Sequence, residues 1–274
     1  MIVSKKLIQK FKNESLFSRI KKECESGDIF LSPRQGERIT IYYKGGRFLQ
    51  YDKDGFSITE KYFSLNTTIK DNDKKITVDK IVKLHFTKNY FEEYYEGIKE
   101  KCELYNKNSE AYGVSCFYKY NYLTNNDIVL LDIEYSNETV SGEKSDRIDI
   151  VLYNKKSQTL QFIEAKKFNN PELHNHSIIK QVSRYNKQIA ANKNIILDYY
   201  QKFVETINYI FDINLPKPEN INNNVSVYFF DFDSDDKKSK KYKHIINNLK
   251  KNYVNYYVRG HAENIEYKNL QKFF

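Results

Sequence analysis

The stretch whose reading decides the fold runs Asp146-Arg147-Ile148-Asp149-Ile150-Val151-Leu152-Tyr153, makes a short connection through Asn154 and Ser157, and returns as Thr159-Leu160-Gln161-Phe162-Ile163-Glu164-Ala165-Lys166. Apolar and charged residues alternate in both arms, which is the period-two signature of β-strands. Ile148, Ile150 and Leu152 share one face of the first arm, and Arg147, Asp149 and Val151 the other. On the second arm Gln161, Ile163 and Ala165 share a face, opposite Phe162, Glu164 and Lys166. If Tyr153 pairs with Leu160, Asp149 falls opposite Glu164, on the same face and within contact distance. Two carboxylates and one ammonium then converge on a single patch of sheet. Opposed like charges are destabilising, so such a pair asks for a cation between them.

Working outward, 274 residues suffice for one large domain or a main domain with an appended one. The 24 tyrosines and 18 phenylalanines, with no tryptophan, one methionine and abundant lysine and asparagine, look like an AT-rich coding bias as much as physical selection. The net charge of +9 favours a polyanionic partner, although a lysine-rich solvated surface gives the same number. Cys24, Cys102 and Cys116 are widely spaced and make neither a CxxC pair nor a disulfide framework, which fits a reducing cytoplasm. Residues 1–11 carry lysines and lack the long apolar core of a signal peptide. No stretch approaches the roughly 18 apolar residues needed to span a bilayer. The expectation is a cytoplasmic protein with no membrane partner.

Residues 4–26 read as mostly helical, with Gly27 as a stop. Short strands follow at 29–31, 38–43, 48–51 and 56–63, separated by the turns Lys44-Gly45-Gly46 and Asp52-Lys53-Asp54-Gly55. A charged loop at 71–75 precedes a strand or short helix at 76–84. This divides the chain into an N-terminal helix plus β-meander region, 1–86, and a larger domain, 87–274. In the larger domain, 87–107 is a helix with Phe91, Tyr95, Ile98 and Cys102 near one face and its charges in solvent. A second helix runs from Ser109-Glu110 to about residue 122, and an apolar strand at 128–135 holds Asp132 and Glu134. Residues 137–144 form a polar loop, and the hairpin follows. Beyond it lie a long helical region over 177–211, a breaker-rich linker at 216–224, a strand at 225–232, a basic helix over 235–252 and a last strand at 253–259. Strands separated by helices imply an α/β fold with a mixed sheet.

The order Asp149, then Glu164-x-Lys166, then Gln181-x-x-x-Tyr185 on the next helix resembles the PD-(D/E)XK nuclease superfamily. The Gln-x-x-x-Tyr pair is similar to the extra motif of its RecB-like branch. The likeness covers roughly residues 110–259, and the first motif, Arg147-Ile148-Asp149, lacks the proline of the name. The resemblance implies a restriction-endonuclease-like α/β/α core with a mixed central sheet, beside the N-terminal helix and small antiparallel meander. It also implies a Mg²⁺- or Mn²⁺-dependent nuclease acting on DNA in preference to RNA, with a role in defence or repair. A homodimer is left open.

Hard-cation chemistry gives those residues their roles. Mg²⁺ takes oxygen ligands and keeps several waters, so Asp149, Glu164 and the Ala165 backbone carbonyl are enough to hold it. Lys166 would orient or deprotonate the attacking water and offset transition-state charge. Gln181 and Tyr185 would support the site through hydrogen bonds. The resemblance implies a further acid, for which Glu110, heading the helix before the first core strand, and Glu134, on that strand, are rivals.

A Glu-x-Lys triplet is common in a chain that is 30% charged, so the pattern also permits mere surface ion pairs. Against that, Phe162, Ile163 and Ala165 make the second arm interior, where unpaired carboxylates are costly. A different class of function also fits: a catalytically silent nucleic-acid-binding or regulatory module that keeps the fold. His174-x-His176 has no further ligand nearby for zinc. Asp231-x-Asp233-x-Asp235-Asp236 lacks the glycine and closing glutamate of a calcium loop and reads as a helix start. Lys237, Lys238, Lys240, Lys241 and Lys243 could contact phosphates or form a solvated helix face.

Overall fold

The computed structural model describes residues 1–62, 89–136 and 147–274. The expected loop at 71–75, the element at 76–84, the boundary between 86 and 87 and the loop at 137–144 lie outside the described residues.

The N-terminal region begins with α1 (Lys5–Lys12) and α2 (Phe17–Ser26). Ser4 caps α1 through the Leu7 amide, and Gly27 ends α2 in the left-handed conformation that glycine adopts without a Cβ clash. Strands β1 (Ile29–Arg34), β2 (Arg38–Tyr43), β3 (Gly46–Asp52) and β4 (Gly55–Ile58) then form an antiparallel meander in sequence order.

Helix α3 (Asn89–Asn106) lies against β3, with Tyr95, Ile98 and Cys102 buried. Its charges are not all in solvent, as the sequence suggested. Lys99 is buried and pairs with both Glu23 and Asp28, because an ammonium placed on a covered helix face must bring its counter-charges with it. Helix α4 (Glu110–Ser115) is shorter than expected. Buried Tyr118 stacks on Phe30 at 5.4 Å, and the Asn121 side chain donates to the Cys24 and Tyr118 carbonyls, which turns the chain before residue 122.

The second sheet contains β5 (Ile128–Ser136), β6 (Arg147–Asn154), β7 (Thr159–Lys167), β8 (Asn220–Ile221), β9 (Ser226–Phe230) and β10 (Tyr256–Arg259). Its order is β10-β9-β7-β6-β5, with the two residues of β8 beside β7. The sheet is mixed: β5, β6 and β7 run antiparallel, whereas β7, β9 and β10 are parallel. Tyr153 pairs with Leu160, as the alternation requires.

Helices cover both faces of this sheet. On the face of Phe162 and Glu164 lie α5 (Ser177–Ala191), α6 (Lys193–Phe211) and α8 (Lys240–Lys251), which follows the short α7 (Ser234–Lys238). Contacts fix this assignment: Tyr200 of α6 is 6.1 Å from Phe162, and Tyr242 of α8 is 5.8 Å from Phe229, the register partner of Lys166. Helix α4 lies on the opposite face. There Phe117, just past its end, meets Tyr228 at 5.3 Å, and a Cβ on Gly113 would stand 2.1 Å from the Phe230 ring. Helix α5 docks through Ile178, Val182, Tyr185 and Ile189, spaced four, three and four apart. Full burial of each such apolar side chain stabilises by about 1.5–3 kcal/mol.

The helical region expected over 177–211 is two helices that meet at Asn192, whose side chain donates to the Gln188 carbonyl and competes with the helical ladder. The expected basic helix over 235–252 likewise breaks at Ser239, which caps α8. Asp233 caps α7 within a capping box, the helix-start reading of that acidic cluster. The short α9 (Tyr267–Leu270) runs directly into a 3₁₀ turn (Gln271–Phe273).

One apolar core runs through both sheets. A buried ion pair also crosses between them. Arg34 of β1 donates to Asp132 of β5 at 2.9 Å, to the Ile133 carbonyl at 2.5 Å and to the Tyr42 hydroxyl at 3.2 Å. Asp132 is fully buried and also accepts from Ser32, the Ile133 amide and Tyr200. Among the described residues no helix is long and apolar enough to cross a membrane.

Candidate active site

Strand β6 stays paired with β5 down to Arg147, but its pairing with β7 ends at Ile150 opposite Ile163. Beyond that point the two strands part, and the edge of β7 that β6 leaves is met by carboxylates. The Ala165 amide donates to Asp149 Oδ2 at 2.8 Å. The Lys167 amide, next on the same edge, donates to Glu110 Oε1 at 2.9 Å. The N–H and C=O of one strand residue leave on the same side, so the Ala165 carbonyl opens between these two acids.

Glu164 stands beside them on the strand, 1% exposed. Its Oε1 accepts from Gln181 Nε2 at 2.8 Å and faces Lys166 Nζ at 2.8 Å. Its Oε2 is buried and has no hydrogen-bond partner. A buried carboxylate oxygen left unmet costs several kcal/mol unless it is protonated or meets a cation. Burial, and then the Asp149 charge, push the Glu164 carboxyl well above the usual carboxylate range, with Lys166 opposing. Burial raises Asp149 to about 6, while the Ala165 amide and Lys166 oppose the rise and Glu110 and Glu134 add to it. A buried carboxyl pushed up by a second acid beside it is the kind of charge crowding that a bound cation relieves.

Lys166 is 7% exposed and bridges two acids, Glu164 and Glu172, each at 2.8 Å. Desolvation works against its charge, but those carboxylates outweigh it and hold the group as an ammonium. Gln181 and Tyr185, one turn apart on α5, act together: Gln181 Nε2 donates to both Glu164 and the Tyr185 hydroxyl, each at 2.8 Å. Tyr185 donates onward to the Arg147 carbonyl at 2.8 Å, tying α5 to the start of the strand that carries Asp149.

The two rival acids part company here. Glu110 reaches the β7 edge and also accepts from Asn170 Nδ2 at 2.7 Å. Glu134 has a left-handed backbone (φ 52°), accepts from Tyr42 at 3.2 Å and lies 3.8 Å from an Arg147 guanidinium nitrogen. Both charges are felt by Asp149, with Glu110 ahead of Glu134.

Glu172 and Asn170 escaped the sequence reading. The only local signal for them was Asn170-Pro171-Glu172, where Asn170 caps a single 3₁₀ turn and so brings Glu172 back toward Lys166. The two histidines are turned to the protein: His174 Nε2 lies 2.9 Å from the Phe168 carbonyl and His176 Nδ1 2.8 Å from Asn248 Oδ1.

The donor set suits a hard cation. Asp149, the free Oε2 of Glu164 and the Ala165 carbonyl are all oxygens. Among the described residues there is no group of three or more His, Cys, Asp or Glu side chains that could hold a metal ion. Comparison with protein-family models, with curated proteins and with solved structures found no match.

Proposed function

We propose that the protein is a divalent-cation-dependent nuclease that hydrolyses phosphodiester bonds, in DNA rather than RNA, on a restriction-endonuclease-like α/β/α core. The observation that carries this reading is the buried, unpartnered Oε2 of Glu164 beside Asp149, where β6 and β7 separate. Asp149, Glu164 and the Ala165 carbonyl would hold Mg²⁺ or Mn²⁺. The bound ion would supply charge neutralisation at the scissile phosphate and a water of lowered pKa.

The protein's own groups do the rest. Lys166, kept cationic between Glu164 and Glu172, offsets the negative charge that grows on the phosphoryl oxygens in the transition state. Gln181 fixes the rotamer of Glu164 by occupying Oε1, which leaves Oε2 directed at the ligand position. Tyr185 holds Gln181 and the Arg147 carbonyl in one frame, so α5 and the Asp149 strand keep their spacing. Glu110 braces the β7 edge and adds negative charge that favours a cation.

The test is cleavage of plasmid and single-stranded DNA and of RNA, with Mg²⁺ or Mn²⁺ against EDTA. Wild type should cut in the metal only, and Asp149→Ala and Lys166→Ala should each remove the activity. Equal metal-dependent background in all three proteins would sink the proposal and leave the silent nucleic-acid-binding module as the reading.

A further inference from the structure

We propose that the lysine face of α7 and α8 is the surface that grips the sugar–phosphate backbone of nucleic acid beside the cut. This rests on the nuclease reading for its location, although the binding itself can be measured without cleavage. Helix α8 reads Lys-Lys-Tyr-Lys-His-Ile-Ile-Asn-Asn-Leu-Lys-Lys and carries five lysines and no acid. Lys240, Lys241, Lys243, Lys250 and Lys251 are all exposed, as are Lys237 and Lys238 on α7. Lys238 pairs with Asp235 at 3.5 Å, whereas Lys237, Lys240 and Lys243 make no ion pair among the described residues.

Lys250 and Lys251 in the last turn of α8, and Lys237 and Lys238 in the last turn of α7, suit the helix dipole, but Lys240, Lys241 and Lys243 at the start of α8 do nothing for the helix that bears them. Lys240 and Lys243 lie three apart, a like-charge spacing that destabilises, and the first turn of a helix is where the macrodipole disfavours cations. An anion arriving from outside is what would offset them.

The surface also stands in the right place. Lys241 Nζ donates to Asn169 Oδ1 at 3.0 Å and lies 5.0 Å over the Phe168 ring, the two residues that follow Lys167 at the end of the candidate catalytic strand. Tyr242 packs on Phe229 and Phe232 at 5.8 and 5.1 Å, which sets α8 on the sheet face that carries Glu164 and Lys166. A basic amphipathic helix can also serve a lipid surface, but that needs a free apolar face. Here that face is spent: Ile245 and Leu249 are buried in the core.

The experiment measures binding of labelled duplex DNA by full-length Asp149→Ala protein in EDTA across a range of KCl. It compares a Lys237→Gln/Lys240→Gln/Lys243→Gln background with a Lys6→Gln/Lys10→Gln/Lys53→Gln background that loses the same charge on exposed residues of α1 and the β3–β4 turn. With each phosphate contact worth about 0.9 in the slope of log K against log salt, the first triple should flatten that slope by about 2.7. The control triple should leave it nearly unchanged. Equal effects of the two triples, an unchanged slope in the first, no salt-dependent binding at all, or capture by anionic vesicles in place of DNA would each overturn the proposal. Wild-type cleavage is followed in parallel: binding that obeys the prediction without metal-dependent cutting refutes the nuclease reading and keeps the surface.

Discussion

Replacing Asp149 by Asn tests the electrostatic strain of the site without touching its backbone. The Asn side-chain oxygen can still accept from the Ala165 amide, so the local fold is kept. In the wild type, burial lifts the Asp149 carboxyl to about 6, from an ordinary aspartate value near 4. Between those values the folded chain holds a proton that the unfolded chain has already released. The Asp149 contribution to stability therefore falls as pH rises from about 4 to about 6 and is level above that window. The full displacement corresponds to about 3 kcal/mol, and solvent reaching this half-buried group reduces it to about 1–2 kcal/mol. Urea unfolding of both proteins in EDTA at pH 4 and pH 7.5 reads the difference. The wild type should lose about 1–2 kcal/mol relative to Asp149→Asn on going to the higher pH. Saturating Mg²⁺ at pH 7.5 should restore the wild type and leave the variant unmoved. A difference between the two proteins that is the same at both pH values refutes the idea that Asp149 is held there against its own charge.

Three other substitutions probe neighbouring parts of the structure. Arg34→Met leaves Asp132 buried without its guanidinium, and loss of one partner of such a pair costs about 3–5 kcal/mol in urea unfolding; a loss below about 1 kcal/mol would show that Ser32, Tyr200 and the Ile133 amide suffice. Glu110→Ala removes charged hydrogen bonds worth about 1.5–3 kcal/mol from the β7 edge, and should slow cleavage about 10- to 150-fold, whereas Glu134→Ala should slow it less than about 3-fold; the reverse order in a cleavage assay would make Glu134 the fourth acid.

The hairpin was legible because strand alternation has a strict period and the short connection between the arms leaves Tyr153 to pair with Leu160. That register alone brought Asp149 to Glu164, and the four-residue spacing of Gln181 and Tyr185 placed both on one face of α5. What could not be read were events decided by side chains reaching across the fold. Nothing near Asp132 announces that Arg34, far back in the chain, will neutralise it. Lys99 looked like one more solvated charge on a charged helix until Glu23 and Asp28 closed over it. Asn192 breaks the long helical region through one side-chain bond to Gln188, in a stretch whose apolar period continues on either side. The divergence of β6 from β7 after Ile150, which opens the β7 edge to Glu110, has no marker in the sequence.

The most direct test of the central claim is a crystal of the wild-type protein soaked in Mn²⁺ and measured at the manganese absorption edge. The account predicts one anomalous peak bound by Asp149, Glu164 Oε2 and the Ala165 carbonyl, and no peak there in Asp149→Ala. Anomalous density elsewhere with none at this position, or a peak that survives the loss of Asp149, would contradict it.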